Sequence, residues 1–463
     1  MKVFLTILAI FTLTVSSLGQ NKYAILIGGP VDYRPGHTEF HPGWFPAEVQ
    51  DMFWTDIFLM NSLLISKFDY PQENVKVLFH DGLDYHPIEN NPGPYAPRYK
   101  KLKPEDPKIT TASCTYADVK STILNLGSNE NDFVFIFVFT HGRYRNEFPP
   151  YQYGILCPQM ILTDYMYTDT DYISPEEFTS LVAGIPAQKK VIWMQPCYSG
   201  GFKDYFTPYL SGSQIIVDYS CLANEEAWSA DSYIKSTTTS ELEVFDENEP
   251  AYFNQPPDYM GNWGSPIHHG EFAYHLYSCL AGQTPKILES NYNSDGVLIP
   301  LSGADNNPTD GVISEKESFN WANLYNSRQH YNDPTNQEHF DFQESWNGLS
   351  SKTSLKYPNI VSSINDLIVN STSPGISNTG IYGITNSIVV TGSNKSLIFG
   401  PNSKIYLLNN AKIYIQGGAT LSFQDGVEIY GNGQNSVRIE NGTINLGQNG
   451  KTGHIDHPQA GVN

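Results

Sequence analysis

Basic residues are scarce in this chain. Its 27 Lys and Arg stand against 48 Asp and Glu, a formal charge of −21, which argues against nucleic acid or an anionic membrane surface as a partner. Long apolar runs are absent after Met1–Gly19: no later stretch approaches the ~20 apolar residues of a membrane span. Cysteine is sparse as well. The five, at 114, 157, 197, 221 and 279, allow at most two disulfides, so full pairing is excluded and one thiol is left over.

What is present bounds the rest. With 463 residues and 40% hydrophobic content there is room for a large catalytic domain and a smaller companion. Met1–Gly19 opens with one Lys, continues FLTILAIFTLTV and ends in small residues. That is the pattern of a secretory signal, too short and wrongly flanked for a membrane anchor. The mature chain is expected to start near Gln20. No cysteine follows the apolar run, so no lipid anchor is expected. The protein is expected to be secreted, whether extracellular, periplasmic or at the cell surface.

Two apolar runs carry the chemistry. Val191–Phe202, VIWMQPCYSGGF, reads as a buried strand that stops where Pro196 removes a ladder donor and the glycines free the backbone. Cys197 then lies at the carboxyl end of a central strand, where open α/β sheets bind ligands. A buried structural thiol is the competing reading. Phe133–Thr140, FVFIFVFT, is a second buried strand and runs straight into His141-Gly142. The two side chains that thiol catalysis needs therefore end matching strands. They are 56 residues apart (197 − 141), enough for a crossover helix and a long loop between parallel neighbours. A thiol attacks as thiolate, and His141 is suited to take its proton near neutral pH.

"FVFTHG" and "QPCYSGGF" resemble the caspase-like cysteine peptidases, the group that joins caspases, metacaspases, legumains, gingipains and clostripain. The caspase branch carries Gln-Ala-Cys-[Arg/Gln/Gly]-Gly with a histidine about 50 residues upstream. Here Pro196 stands in the alanine's place and the glycine comes one position later. "YAILIGG", "FWTD" and "VKVLFHDG" look like the opening βαβ of the same group, and the resemblance runs in patches from about Tyr23 to Trp321. It implies a three-layer α/β/α sandwich with a mostly parallel sheet. It also implies roles: Cys197 attacks the scissile carbonyl, His141 polarises the substrate, and backbone N–H groups of Gly142 and Cys197 hold the oxyanion. Glycine suits position 142 because a side chain would crowd the substrate carbonyl. Gln195 matches the glutamine that lines the pocket for the residue before the cleaved bond (P1); a plain strand-end residue is the competing reading. Ser220–Ser229, SCLANEEAWS, is similar to the legumain segment that walls that pocket. Within it, Glu225 or Glu226 is placed to meet a basic P1 residue; two solvated acids at a helix start are the plainer reading. Asp218 carries the same ambiguity.

Along the chain, the patterns predict a strand over Lys22–Gly28, a helix from Glu48 to about Phe68, a strand over Asn74–His80, a surface loop over Asp84–Thr111 and a helix over Thr115–Leu126. Ser174-Pro175-Glu176-Glu177 puts a capping Ser, a Pro at N1 and acids in the first turn of a helix to about Ala183. A strand over Gln214–Asp218 and a helix over Glu271–Leu280 follow. The alternation predicts a parallel sheet covered on both faces. Residues 20–350 are assigned to this domain, 351–387 to a linker and 388–463 to a β-rich accessory domain. There, "KIYLLNNAKIYIQGGATLSFQDGVEIYGNG" repeats with a period near eight and predicts a small β-solenoid or β-sandwich, either a structural spacer or a contact to a surface or carbohydrate.

Other candidates are weaker. His269-Gly270 opens a helix pattern instead of closing a strand, and His268 is weaker still. Ser199 lies in no G-x-S-x-G elbow and reads as turn chemistry. Asp305–Glu317, DNNPTDGVISEKE, follows the calcium-loop pattern in part. Asp305, Asn307, Asp310 and Glu317 are its candidate ligands for a structural Ca²⁺, against a turn that caps the next helix. The chemistry requires no cofactor. The expected protein is an exported cysteine endopeptidase acting on proteins or peptides. A catalytically silent adhesion or binding protein on the same fold and a peptide ligase using the same dyad are the alternatives.

Overall fold

The computed structural model describes residues 20–29, 48–87, 99–101, 108–144, 153–156, 172–228, 270–281, 283–284, 299–300, 304–305, 310, 312–326, 329, 337–369, 379–431, 437–440 and 443–446. The expected signal segment lies outside them, as do Cys157, His268, His269 and Asn307.

β1 (Lys22–Gly29), α1 (Glu48–Ser66) and β2 (Val75–Phe79) form the opening parallel unit. The stretch expected as a surface loop after Asp84 contains strands. β3 (Tyr85–Pro87) pairs antiparallel with β4 (Tyr99–Lys101), and β5 (Thr110–Ala112) joins the edge of β2. Asp84 makes this closure: its buried carboxylate accepts from Ile109 N at 2.7 Å and Thr110 N at 3.0 Å, tying the two ends together. α2 (Tyr116–Leu124), capped by Thr115, precedes β6 (Phe133–Thr140). β7 (Gly142–Tyr144), β8 (Tyr153–Leu156) and β9 (Tyr172–Ile173) form a small antiparallel sheet. α3 (Pro175–Gly184), with Ser174 as N-cap, leads to β10 (Lys189–Met194), α4 (Lys203–Leu210) and β11 (Ile215–Tyr219). Then come α5 (Glu271–Ala281), the pair β12 (Gln283–Thr284) and β13 (Ile299–Pro300), α6 (Glu315–Tyr325) and β14 (Asp341–Glu344).

Among the described residues, seven strands make one sheet in the order β14-β11-β10-β6-β1-β2-β5, with β14 antiparallel to its neighbour and the rest parallel. Side chains alternate across it. Phe133, Phe135, Phe137 and Trp193 pack with α1, α5 and α6 on one face; Val134, Ile136, Val138 and Met194 pack with α2, α3 and α4 on the other. Both faces are covered, which is why β6 is an unbroken apolar run. The chain is thus mixed α/β with a largely parallel central sheet.

The C-terminal part runs through β15 (Asn359–Val361), α7 (Ile364–Val369), β16 (Ile381–Ile384), β17 (Ile388–Thr391), β18 (Ser396–Phe399), β19 (Lys404–Leu407), β20 (Ile413–Gln416), β21 (Thr420–Phe423), β22 (Glu428–Gly431), β23 (Val437–Glu440) and β24 (Thr443–Leu446). The described strands form three parallel ladders, β15-β16-β19-β22, β17-β20-β23 and β18-β21-β24. Ile388 sits on Ile413, which sits on Val437. The eight-residue period is therefore the spacing of strands, three to a coil, and the tail is a solenoid and not a sandwich. Inward residues such as Ile384, Leu397, Ile405 and Leu421 fill its centre. β15 and β16 already belong to the first ladder, so residues 351–387 do more than link. Their Val361 and Ile384 face the same core. Among the described residues, no helix is long and apolar enough to cross a membrane.

Candidate active site

β6 and β10 are neighbours, and their ladder pairs Val138 with Met194. Gln195 N extends it, donating to Val138 O at 2.8 Å. Three residues past that pair come His141 on one strand and Cys197 on the other, so register brings both to the same end of the sheet. Adjacent strands run about 4.8 Å apart. The contact is made at Gly142. A β-carbon there would overlap the carbonyl oxygen of Cys197 and lie 2.9 Å from its carbonyl carbon and its amide nitrogen. Glycine is needed at 142 to make room for the backbone of Cys197 itself, a reason separate from the expected crowding of a substrate. His141 is half-buried, its ring edge-on to Phe53 of α1 at 5.2 Å between centroids; Phe53 packs in turn on Phe139 at 4.8 Å.

Beyond Cys197, Tyr198 takes a left-handed φ of 61° and Ser199–Phe202 winds into α4. Gly200 rests on the segment after β11: a β-carbon there would lie 2.8 Å from Ala223 N and Cys221 O. Ser199 Oγ, buried, accepts from Cys221 N at 3.3 Å and lies 3.3 Å from the Oγ of Ser220, itself fully buried behind the turn. Cys114, Cys221 and Cys279 are buried free thiols, and Cys197 is free and half-buried.

The other proposed recognition residues go different ways. Gln195 is buried, and its Oε1 accepts from Ala273 N at 2.8 Å, fastening α5 to the strand that bears the cysteine. Its Nε2 has no partner among the described residues. Glu225 turns inward. Its carboxylate accepts from His339 N at 2.8 Å, faces His339 Nδ1 at 2.8 Å and accepts from Leu222 N at 3.3 Å. Glu226 is exposed, and its Oε1 accepts from Tyr198 OH at 3.0 Å. Asp218 is fully buried opposite Trp193, where burial first and then Glu315 raise its carboxyl well above the ordinary range.

Electrostatics around the thiol run against ionisation. Burial pushes Cys197 up to about 12, and the Glu226 and Glu338 carboxylates add to the rise. Backbone hydrogen bonding at Ala227 and at Cys197 itself acts the other way, but burial and the two acids outweigh it. Glu338 is fully buried, and nothing in its local sequence marks it. The chain brings it near the cysteines only through the segment that also carries His339.

The calcium-loop carboxylates hold local backbone. Asp305 Oδ1 accepts from Asp310 N at 2.9 Å and Asp310 Oδ1 from Val312 N at 3.0 Å. Glu317 Oε2 accepts from Ser314 N at 3.0 Å, closing a capping box at the start of α6. Among the described residues, no group of three or more His, Cys, Asp or Glu is placed to hold a metal ion.

No family model matches this chain, and no curated protein matches it. A crystal structure of a protein from Geobacter sulfurreducens aligns with 70% of this chain and 93% of its own length, at 10% identity and a TM-score of 0.31. That likeness is too low to bear on fold or function.

Proposed function

We propose that the chain is a cysteine endopeptidase of the caspase-like class, with Cys197 as nucleophile and His141 as its acid–base partner. The observation that supports this most is the contact of Gly142 with the backbone of Cys197 at adjoining tips of parallel strands. With the thiol pushed up to about 12, attack needs a proton acceptor as the bond forms. An imidazole titrating near neutrality is suited to that. Sulfur bonds to the carbonyl carbon, the thiol proton passes to His141, and the carbonyl electron pair moves onto oxygen. N–H groups of Gly142 and Cys197 are the donors proposed for that oxyanion. His141 then returns the proton to the leaving amine, and water hydrolyses the thioester. Glu226 and Glu338 make the surroundings negative, which favours a basic residue before the cleaved bond. Glu225, engaged with His339, is withdrawn from that role. The solenoid is a proposed contact to a surface or carbohydrate.

The silent-binder reading draws on one observation: the resting Cys197 Sγ donates to Ala227 O at 3.7 Å. The two readings separate by experiment. Iodoacetamide labelling is expected at Cys197 and is expected to be lost in Cys197→Ala. His141→Ala is expected to lower peptide hydrolysis by roughly 10²–10⁴-fold. A folded, labelled protein with no Cys197-dependent turnover across a peptide library leaves only the binder. An added amine nucleophile, with product analysis, distinguishes ligation from hydrolysis.

A further inference from the structure

α1 packs on the sheet with apolar residues at helical spacing: Ile57, Met60 and Leu64 are fully buried in one core. Asn61 falls on the same stripe and is only 6% exposed. Its side-chain amide has no hydrogen-bond partner among the described residues. A buried amide without a partner lowers stability, and an apolar residue of the same size would avoid that loss. What Asn61 faces accounts for it. The residue lines a cavity of about 570 Å³ between α1, the turn Gln72–Asn74, the start of β2 and β5.

The walls of this cavity are held by contacts of their own. Asn74 Nδ2 donates to Lys22 O at 3.1 Å and Lys76 Nζ to Glu73 O at 2.6 Å, which fixes the turn. Thr111 Oγ1 donates to Val77 O at 2.8 Å, and Asp84 holds the amides of Ile109 and Thr110, which fixes β5. The cavity is thus preformed and of a size that takes a small ligand. Two charged residues line it. Lys108 is engaged, its Nζ donating to Gly82 O at 2.9 Å. The exposed Glu73 carboxylate has no partner among the described residues. Val75 and Ile109 supply apolar lining.

The geometry points to a second binding site, for the amino-terminal end of a short peptide: its ammonium pairs with the Glu73 carboxylate, its first peptide group exchanges hydrogen bonds with the Asn61 amide, and a small apolar side chain lies against Val75 and Ile109. A peptide's amino end carries a cation and a group that both donates and accepts within one residue; a polyamine or a lysine side chain offers the cation alone. The site is remote from the proposed nucleophile. β5 is four strands from β10 in the sheet, about 19 Å away. The cavity also opens at the amino-terminal end of β2, whereas Cys197 follows the carboxyl end of β10. The site therefore stands apart from the peptidase reading and does not depend on it.

The test uses the full chain, isothermal titration calorimetry and two probes, alanyl-alanine amide and its N-acetyl derivative. Acetylation removes the cation and keeps the peptide groups. The free-amine probe is expected to bind the wild type and Cys197→Ala alike, and the acetylated probe to bind at least roughly tenfold more weakly. Glu73→Gln and Asn61→Leu are each expected to weaken the free-amine probe by a similar factor. Asn61→Leu also removes an unpartnered buried amide, so the urea midpoint of the unliganded variant is expected to rise; a residue kept for the fold would lower it. A lowered midpoint, wild-type affinity in either variant, equal binding of the two probes or no saturable binding at all overturns the site. Binding that disappears in Cys197→Ala places the peptide at the nucleophile instead and overturns it as well.

Discussion

At the scale of single residues, Gly142 carries the most information. Its missing side chain is what lets the two strand tips close on each other. Gly142→Ala must displace the Cys197 carbonyl, and with it the amides proposed for the oxyanion. We expect at least a ~100-fold fall in kcat with near-wild-type circular dichroism. An alanine variant that hydrolyses peptides at the wild-type rate would show that the contact has no catalytic consequence. The cysteine, the histidine and this glycine were all legible as residues of interest from the two motifs. The fates of Glu225 and Glu226 were not. They are adjacent and identical in sequence, and only His339, 114 positions away from Glu225, draws one inward and leaves the other in solvent.

At the scale of elements, the docking of α6 on β10 and β11 buries charge. Glu315, in its first turn, is fully buried and accepts from Trp193 Nε1 at 3.3 Å. Burial pushes its carboxyl up to about 8, raises Asp218 beside it, and lowers Lys189 to about 7. The sign follows from proton binding. Folded Glu315 holds a proton that the unfolded chain releases near its ordinary value, so stability falls as pH rises from about 4.5 towards about 8. Lys189 acts in the opposite sense but only above about 7, so the interval from pH 5 to 7 isolates the carboxylates. Glu315→Gln is expected to reduce the loss of stability over that interval by up to about 1.4 kcal/mol per pH unit, read from urea midpoints at the two ends. Asp218 and Asp310, both raised by burial, contribute to the slope that remains. An unchanged slope in the variant would place the titration elsewhere. The capping Ser174 and Pro175 that start α3 were legible because they act on their own helix; the burial of Glu315 was not, because it depends on two strands and a helix from separate parts of the chain.

At the scale of the molecule, the α/β part and the solenoid have separate cores joined through polar contacts. Gln20 Oε1 accepts from Ile381 N at 2.9 Å, and Lys189 Nζ donates to Thr353 Oγ1 at 2.8 Å and to Pro358 O. These contacts sit at the amino-terminal ends of β1 and β10, whereas Cys197 and His141 follow the carboxyl ends. The length of β10 separates junction from site by about 20 Å. Leu421→Ala, at a fully buried position of the solenoid, is expected to destabilise that unit by about 2–5 kcal/mol while the rate of Cys197 alkylation stays at the wild-type value. Faster alkylation in step with solenoid melting, as unfolding relieves the burial of the thiol, would mean that the two parts are one cooperative unit.

Local pattern alone determined the buried strands at Phe133–Thr140 and Val191–Met194, the capped helix starts and the β-repeat of the tail. Each is written in neighbouring residues as an unbroken apolar run, a cap or a period, and needs no distant partner. Tertiary structure decided the register that sets Met194 against Val138, the coil that makes the tail a solenoid, the arrival of Glu338, and which of two adjacent glutamates meets solvent. Those outcomes depend on hydrogen bonds and burial shared between segments far apart in the chain, and such partners leave no mark in the local sequence of either one.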